Sequence, residues 1–452
     1  ALVINVSPTN GNLNTITENT ITYVPAVDFT GSDTFTYTLN SSSRCVIQNI
    51  IICVDQLVQQ GSKIIGTGAS GSVRQGDKVV VSYDGLTLAE ASFSDDSGAG
   101  AVWIFQRSSI SNNFLQQGNK LVGSGAIGGA ALGRGIAFSS DGLIIAIGGS
   151  NDNSGQGATW IFNRTTTTNS FVQQGNKLFG TGGTGNPGQG ESISLSSDGL
   201  TLAVGGNGND SGVGATWIFT RTSTSDIFVD QGLLLANDSV GSPNQGGSVS
   251  LSSDGLVLAV GGSADDSQVG AVWIYSRATS ADPFTQQGTK IIGTGAVGSA
   301  GQGISVSLSG DGLVLAFSGA RDDSFVGAAW IFIRASTADT FVQQGSKLVG
   351  TGAIGTANQG TSLSLSSDGL TLAVGGPNDN SSLGAIWVYR RKVTSDTFVQ
   401  QGTKLFGNDT VGTFVFQGNS VSLSGNGIVL GTSAPDDDSS IGAAIAWKPT
   451  CP

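Results

Sequence analysis

The sequence predicts an all-β protein built mainly from a seven-bladed β-propeller, with a shorter β-segment of another kind at the N-terminus. One observation is a repeat of about 57 residues that occurs seven times along most of the chain. Another is the composition, with 70 glycines, 9 prolines and 12% charged residues in 452 positions. Several short strands per repeat and no helical pattern are typical of propeller blades.

Three markers define the repeat. A Gly-Ala-x-Trp motif recurs with its tryptophan at Trp103, Trp160, Trp217, Trp273, Trp330 and Trp387, and a seventh copy has Ile445 at this position. An Asp-Gly pair recurs in step from Asp84 to Asp368 and ends as Asn426-Gly427. A Gln-Gln-Gly motif ends at Gly61, Gly118, Gly175, Gly232, Gly288, Gly345 and Gly402, with Asp230 replacing one glutamine.

Each repeat supplies four short strands. In the third repeat, residues 192–196 and 200–204 alternate in polarity on either side of Asp198-Gly199, which predicts a β-hairpin. Residues 214–219 form a third strand, and Phe228-Val229 leads into a fourth. Seven such units in sequence predict seven blades.

The phase of the repeat predicts how the ring closes. It begins with an outer strand near Leu57 and stops after a third strand near Lys448. The strand count is complete only if residues 57–66 join the last blade beside residues 442–448. An open solenoid is the alternative, but it would normally need polar capping repeats.

Residues 57–449 resemble the Gly-Ala-Val-Trp-Val-Phe, Gln-Gln-Gly-x-Lys-Leu and Ser-x-Asp-Gly repeats of large extracellular FG-GAP-like propeller proteins, related to the integrin α-subunit propeller. We therefore assign residues 56–449 to the propeller and 450–452 to a tail. The segment Phe-Thr-Gly-Ser-Asp-Thr-Phe-Thr-Tyr at 29–37 resembles cadherin-like and bacterial Ig-like domains, in which it precedes the final strand, here 45–54. Residues 1–55 are interpreted as the C-terminal part of such a domain, and similar modules are expected before Ala1 as a stalk.

The composition excludes several kinds of chemistry. The chain has no histidine, and its glutamates are confined to Glu18, Glu90 and Glu191. Ser-His-Asp and Cys-His catalysis and histidine-ligated metals are therefore excluded. A formal charge of −12 disfavours nucleic acid as a partner. Direct membrane insertion is not expected, because no apolar run reaches 18 residues.

The cysteines suggest an oxidising compartment. Cys45 and Cys53 lie on one predicted strand, about 26 Å apart at 3.3 Å per residue, which is too far for a disulfide. The shared blade would bring Cys451 close to Cys53, so we predict a Cys53–Cys451 disulfide; three reduced thiols in the cytosol are the alternative. Candidate glycosylation sites in Asn-x-Ser/Thr sequences are Asn5, Asn40, Asn163, Asn209, Asn237, Asn380 and Asn408.

A pair of Asx residues before each Gly-Ala motif is the candidate metal site. Clustered carboxylates suit Ca²⁺. The resemblance to FG-GAP proteins also implies calcium, although their longer Asp-x-Asp-x-Asp-Gly loop is absent here. The alternative is Asx turns that bind the loop backbone. The candidate calcium ligands are Asp95, Asp96, Asp152, Asp210, Asp265, Asp266, Asp322, Asp323, Asp379, Asp437 and Asp438.

The other recurring residues are interpreted as structural. The Asp-Gly pairs are expected to form turns, the tryptophans to pack between blades, and the recurring arginines and lysines to make ion pairs or carbonyl contacts in each blade. A ligand site should instead break the repeat. Arg134, interpreted as replacing the glutamine of Gln-Gly, is one ligand-binding candidate, and Arg321 and Phe414 are two others.

These observations predict a non-enzymatic protein that is extracellular or surface-displayed, on a cell or a virus particle. The propeller would act in adhesion or recognition of a protein or glycan on another surface, carried on an Ig-like stalk. One alternative is a structural component of a fibre, filament or virus particle, in which the propeller packs against copies of itself. A polysaccharide-active enzyme with two aspartates as acid and base is a second alternative. No cofactor is expected to be required, and calcium is the one candidate ion.

Overall fold

The computed structural model describes residues 2–9, 11–16, 21–25, 31–41, 44–54, 56–71 and 73–450. In these ranges the regular structure is β-strand, apart from seven four-residue helical turns whose second and third residues have left-handed φ. The chain divides into two compact units, one formed by residues 1–59 with 447–452 and the other by residues 60–446.

Five strands lie in the N-terminal segment. They are β1 (Leu2–Val6), β2 (Gly11–Ile16), β3 (Ile21–Pro25), β4 (Gly31–Ser41) and β5 (Arg44–Val54). They form a three-stranded sheet in the order β1-β4-β5 and a two-stranded sheet, β2-β3, and all the pairs are antiparallel. The predicted final strand over 45–54 falls within β5.

Seven four-stranded antiparallel sheets form the blades, numbered here 1 to 7 along the chain. The first strands, which line a central channel, are β7 (Lys78–Val81), β11 (Leu132–Phe138), β15 (Ser192–Leu195), β19 (Ser248–Leu251), β23 (Ser305–Leu308), β27 (Ser362–Leu365) and β31 (Val421–Leu423). The second strands are β8 (Thr87–Ser92), β12 (Ile144–Gly149), β16 (Thr201–Gly206), β20 (Val257–Gly262), β24 (Val314–Gly319), β28 (Thr371–Gly376) and β32 (Leu430–Ala434).

The outer half of each blade contains the tryptophan strand and a short edge strand. The third strands are β9 (Ala101–Gln106), β13 (Ala158–Asn163), β17 (Ala215–Thr220), β21 (Ala271–Ser276), β25 (Ala328–Ile333), β29 (Ala385–Arg390) and β33 (Ala443–Pro449). The fourth strands are β10 (Leu115–Gln116), β14 (Val172–Gln173), β18 (Val229–Leu234), β22 (Thr285–Gln286), β26 (Val342–Gln343), β30 (Val399–Gln400) and, in blade 7, β6 (Leu57–Gln59).

Ring closure by a shared blade is confirmed. The sheet of blade 7 has the order β31-β32-β33-β6, so its outer strand comes from the start of the repeat region. Gln59 lies opposite Trp447, and Leu57 lies opposite Pro449. This hydrogen-bonded closure contradicts the open solenoid considered from the sequence.

The Asp-Gly pairs form the predicted hairpin turns between first and second strands. In blade 3 the N–H of Gly199 donates to the carbonyl of Ser196 at 2.9 Å, and Gly199 has φ of +69°, which glycine adopts at no steric cost. The Asp198 carboxylate accepts hydrogen bonds from the Ser196 hydroxyl at 2.6 Å and from the Leu200 N–H at 2.9 Å. The aspartate therefore fixes the turn from inside.

The tryptophans pack between blades, as predicted. Trp160 is fully buried in a cluster that combines blade 1 residues such as Val102 and Ile104 with its own blade 2. Its indole N–H donates to the carbonyl of Ser124 at 2.9 Å. Gly123 lies flat against the ring, and a Cβ there would come within 2.5 Å of it. Glycine is thus required where the chain passes over the indole.

Antiparallel strand order assigns each connection to one end of the blades. The Asp-Gly turns and the loops after third strands lie at one end, here called the turn face. The loops between blades and the helical turns after second strands lie at the other end, here called the loop face. These helical turns are α1 (Asp95–Gly98), α2 (Asp152–Gly155), α3 (Asn209–Gly212), α4 (Asp265–Gln268), α5 (Asp322–Phe325), α6 (Asp379–Ser382) and α7 (Asp437–Ser440).

Candidate functional site

The first Asx of each pair anchors the loop face. In blade 5, Asp322 is 0% exposed, and its Oδ1 accepts the N–H of Val297 at 2.7 Å from the loop that enters the blade. The same contact recurs in all seven blades. The pairs are Ser70–Asp95, Ile127–Asp152, Thr184–Asn209, Val240–Asp265, Val297–Asp322, Ile354–Asp379 and Val411–Asp437.

The second oxygen of each buried carboxylate is bound to the recurring lysine. Lys347, which follows the outer strand of blade 5, forms an ion pair with Oδ2 of Asp322. Six blades contain this pair, and the lysine is at most 20% exposed in each. The pairs are Lys63–Asp437, Lys120–Asp95, Lys177–Asp152, Lys290–Asp265, Lys347–Asp322 and Lys404–Asp379.

Blade 3 replaces both members of the pair together. Asn209 is the one amide among the seven first positions, and Leu234 stands at the lysine position of the sequence repeat. The outer strand of blade 3 is also shifted by one residue. Leu234 lies opposite Thr216. In blade 5 the residue equivalent to Thr216 is Ala329, and it lies opposite Leu348, one residue after Lys347. A neutral amide thus accompanies the loss of the cation.

The first aspartate of each pair among the candidate calcium ligands is engaged in other contacts. Within the part of the chain that the structure describes, no three acidic, cysteine or histidine side chains converge as metal ligands. Each first-position carboxylate already holds an N–H and an ammonium group. The second residues all have positive φ, and Asp96, Asp210, Asp266 and Asp323 among them are exposed. The arrangement therefore favours the alternative interpretation, in which the Asx side chains bind the loop backbone.

The recurring arginines hold the turn face. Arg334 is 7% exposed, and its Nε donates to the carbonyl of Gly312 in the Asp-Gly turn at 2.8 Å. Its guanidinium lies 4.3 Å from the ring centroid of Phe341. Burial lowers the pKa of these arginines, to about 10 for Arg107 and Arg164, so they remain charged at neutral pH. The sequence interpretation of carbonyl contacts in each blade agrees with this geometry.

The structure corrects the assignment of Arg134. Leu132, not Arg134, occupies the position of the Gln-Gly glutamine, because Leu132 bridges to Gly100 as Gln189 bridges to Gly157. Arg134 lies two residues later, at the channel mouth on the loop face. Its guanidinium is 4.1 Å from the ring centroid of Phe93, and its Nη1 is 3.7 Å from the Glu191 carboxylate.

The three ligand-binding candidates lie in different parts of the propeller. Arg321 precedes the helical turn of blade 5, and its Nη1 donates to Oε1 of Gln268 at 3.0 Å. Phe414 is 62% exposed in the loop that enters blade 7. Arg134 lies on the first strand of blade 2. The structure therefore does not unite them in one site.

Two titratable residues in blade 1 were missed from the sequence. Asp77 is 3% exposed, and burial raises its pKa to about 7 although Arg74 lies 3.6 Å away. Glu90 is fully buried, and burial raises its pKa to about 8. The departure at Glu90 was visible in the sequence, since the other repeats carry an aliphatic, aromatic or hydroxyl side chain where Glu90 stands.

The loop face also carries exposed aliphatic side chains at one repeated position. These residues donate the N–H that the buried carboxylate of the helical turn accepts, so the backbone is fixed while the side chain faces solvent. Blades 1 and 3 have Ser70 and Thr184 at this position. The exposed residues, here called the crown, are Ile127 (54% exposed), Val240 (50%), Val297 (52%), Ile354 (55%) and Val411 (53%).

The predicted modifications are only partly covered by the described residues. Cys451 and the side chains of Cys45, Cys53, Asn5 and Asn40 lie outside them. Asn237, Asn380 and Asn408 are exposed, and Asn163 is half-buried. Asn209 is 4% exposed, and its amide oxygen accepts the Thr184 N–H at 2.8 Å. Asn209 is therefore inaccessible to glycosylation in the folded chain, because a glycan there would require the loop to open.

A family model for a bacterial Ig domain matches residues 1–52. This match suggests a surface or extracellular protein. No curated protein matches the sequence. Among the described residues, no helix has the length and apolar character needed to span a membrane.

Several solved structures are similar to the chain. A putative 6-phosphogluconolactonase from Bacteroides fragilis is 14% identical, with a TM-score of 0.52 over 78% of this chain and 95% of that chain. A functionally unknown protein from Desulfotomaculum acetoxidans is 10% identical, with a TM-score of 0.45 over 82% and 95%. Hydrazine synthase from Kuenenia stuttgartiensis is 13% identical, with a TM-score of 0.48 over 84% and 97%. At 14% identity, the similarity to the Bacteroides fragilis protein concerns the fold alone.

Proposed function

We propose that this chain is a non-enzymatic recognition module displayed on a surface, and that it adheres to a protein partner through the crown. The supporting observation is the crown itself, in which five exposed aliphatic side chains lie on backbone held by buried aspartates. Rigid loops that present apolar side chains are typical of binding surfaces, because little conformational entropy is lost on contact. The bacterial Ig match at residues 1–52 is compatible with surface display.

The chemistry of the repeat supports a binding role rather than catalysis. The first-position aspartates are bound to lysine and backbone N–H groups, and the arginines are bound to turn carbonyls. None of these side chains is left free to exchange protons with a substrate. The proposal requires no cofactor, and calcium has no part in it.

A protein partner suits the crown better than a glycan. The core of a protein interface is largely apolar. The exposed aromatic residues of the loop face include Phe325, 49% exposed, and Phe414, and neither carries a hydrogen-bonding group that a glycan could use.

Two matched variants test this proposal. The crown variant replaces Ile127, Val297 and Ile354 by serine, the residue that blade 1 carries at this position. The control replaces Leu115, Val172 and Val342 by threonine, as in Thr285 of blade 4. These three lie on outer strands and are 64–72% exposed, so both variants lose three exposed aliphatic side chains.

The assay is surface plasmon resonance of the whole chain on immobilised extracellular proteins, including fibronectin, collagen and mucin, with a glycan array in parallel. We expect saturable binding to a protein, weakened at least tenfold by the crown variant and unchanged in the control. Binding that survives the crown substitutions, or binding to glycans alone, would contradict the proposal.

One observation favours the structural alternative. Each blade presents an exposed residue on its outer strand, in six cases aliphatic, and such edges promote contacts between copies. If self-assembly is the function, sedimentation velocity will show concentration-dependent oligomers that the outer-strand control, and not the crown variant, abolishes. The same two variants therefore separate recognition from assembly.

A further inference from the structure

Around the channel, serine side chains on the first strand of one blade accept hydrogen bonds from the first strand of the next blade. In blade 5 the N–H of Leu308 donates to Oγ of Ser250 in blade 4 at 2.9 Å. Eight such bonds join neighbouring blades, each from a first-strand N–H to a serine hydroxyl of the preceding blade. The hydroxyls therefore act as acceptors for backbone edges that face the channel.

Blades 1 and 2 carry no hydroxyl at these positions. Lys78 and Val80 replace the two serines in blade 1, and Gly135 and Ala137 replace them in blade 2. The N–H groups of the following blade consequently have no acceptor within the described part of the chain. These groups belong to Ile136, Phe138, Ile193 and Leu195.

Lys78 adds a cation to this set of free donors. Its side chain lies on the same face of β7 as Val80, which lines the channel, and it is exposed there. It forms no ion pair or hydrogen bond with the residues that the structure describes. An ammonium group in this position lacks an acceptor.

The neighbouring carboxylates are already paired with arginines. Glu191 lies 3.7 Å from Arg134, and Arg74 lies 3.6 Å from Asp77 and 3.1 Å from Asp436. Asp77 is also partly protonated near neutral pH, since burial raises its pKa to about 7. Within the described part of the chain, Lys78 is the cation of this cluster that has no carboxylate within 4 Å.

Further along the channel from Lys78, apolar side chains of blades 1 and 2 stand among serines. Val80, Ala137 and Phe138 line a cavity of about 260 Å³ that extends towards the turn face. Val80 lies about 7 Å from Lys78 along the strand. Hydrogen bonds between successive blades narrow the far end, from Ser140 through Ser253 and Ser367 to Gly425.

We propose that the channel binds a small organic anion, with its carboxylate group at Lys78 and the unpaired N–H groups of Ile136 and Ile193 and its short aliphatic part beside Val80 and Phe138. Lys78 and the backbone N–H groups bind the carboxylate, and the side chains of Val80, Ala137 and Phe138 contact the aliphatic part of the anion. This site is separate from the crown, so neither proposal depends on the other.

The test is isothermal titration calorimetry of the whole chain with acetate, hexanoate, 1-hexanol and inorganic phosphate at constant ionic strength. We expect hexanoate to bind at least tenfold more tightly than acetate, since each buried methylene adds about fourfold. Hexanol and phosphate should bind weakly. Phosphate that binds as tightly as hexanoate would overturn the assignment of the apolar part.

Two variants locate the site. Lys78→Ser installs the residue that five other blades carry at this position, so the fold is expected to persist; it should weaken hexanoate binding about 10–100-fold. Ala137→Ser keeps Lys78 but places a hydroxyl beside the aliphatic part of the anion, and we expect a loss of about threefold. Lys392→Ser, at an exposed lysine outside the channel, is the matched control and should bind like the parent. Absence of hexanoate binding, or equal binding by Lys78→Ser, would overturn the proposal.

Discussion

The buried Lys–Asp pair can be exchanged for the neutral pair that the protein uses in blade 3. In blade 5, Lys347→Leu removes the cation and leaves the Asp322 carboxylate buried. The double variant Lys347→Leu with Asp322→Asn reproduces the combination of leucine and Asn209. We predict that the single variant is strongly destabilised and that the second substitution restores most of the loss.

The expected magnitude comes from the burial of the pair. Asp322 is 1% exposed at its side chain and Lys347 is 19% exposed, so water screens the carboxylate little. Removing one partner of a buried ion pair costs about 3–5 kcal/mol, mainly because an uncompensated charge remains. For a propeller of about 390 residues this lowers Tm by about 4–6 °C. The double variant should lie within about 1.5 kcal/mol of the parent, because Asn can still accept the Val297 N–H.

Differential scanning calorimetry at pH 7 measures the Tm of the parent, both single variants and the double variant. Lys392→Leu is the control, because it removes the same charge from an exposed position. If Lys347→Leu shifts Tm by less than 1 °C, the ion pair is unimportant for stability. A double variant as unstable as Lys347→Leu would show that packing of the lysine stem, rather than its charge, holds the loop.

Two further predictions concern blades 1 and 5. The pKa of Glu90 is about 8 in the folded chain, against an ordinary value of 4.5. Between these two pH values the folded chain keeps a proton on Glu90 that the unfolded chain has lost. The free energy of unfolding should therefore fall as pH rises from about 4.5 to about 8. Glu90→Gln keeps an acceptor for the Gly66 N–H and should flatten this pH dependence in urea titrations. Above about pH 8 the variant should gain up to about 4 kcal/mol in the free energy of unfolding relative to the parent. A pH profile of the variant that runs parallel to that of the parent would contradict the assignment. Gly293→Ala places a Cβ 2.3 Å from the Trp330 ring and should cost about 1–3 kcal/mol by calorimetry. Gly295→Ala, which meets no atom within 4 Å, should cost about 1 kcal/mol through its positive φ, and equal effects would refute the steric argument.

The repeat predicted most of the fold because each marker has a local physical cause. Asp-Gly pairs encode hairpins, alternation encodes half-buried strands, and the phase at Leu57 and Lys448 encodes the shared blade. The sequence pattern could not predict which N–H group each buried aspartate accepts. In blade 5, for example, the Val297 N–H lies 25 residues before Asp322, and no local pattern connects the two. That connection exists only after the loop folds over the turn.

The misplaced Arg134 has a specific origin. Blade 2 lacks the Gln-Gly glutamine, so the next polar residue was aligned with it, and only the bridge between Leu132 and Gly100 reveals the register. Lys78 and Glu90 escaped notice because a repeat draws attention to residues that recur. Comparison of equivalent positions across repeats would have found both, as a lysine among serines and a glutamate among mainly apolar residues.

The two proposed sites differ in copy number, and this difference predicts how each responds to mutation. The crown repeats one aliphatic residue in five blades, so a single substitution leaves four contacts and should weaken binding only slightly. The channel site exists once, because Lys78 and the missing hydroxyls occur only in blades 1 and 2. A single change at Lys78 should therefore remove most anion binding. In a symmetric ring whose recurring charges neutralise one another, the departures from the repeat are the places where one residue can decide function.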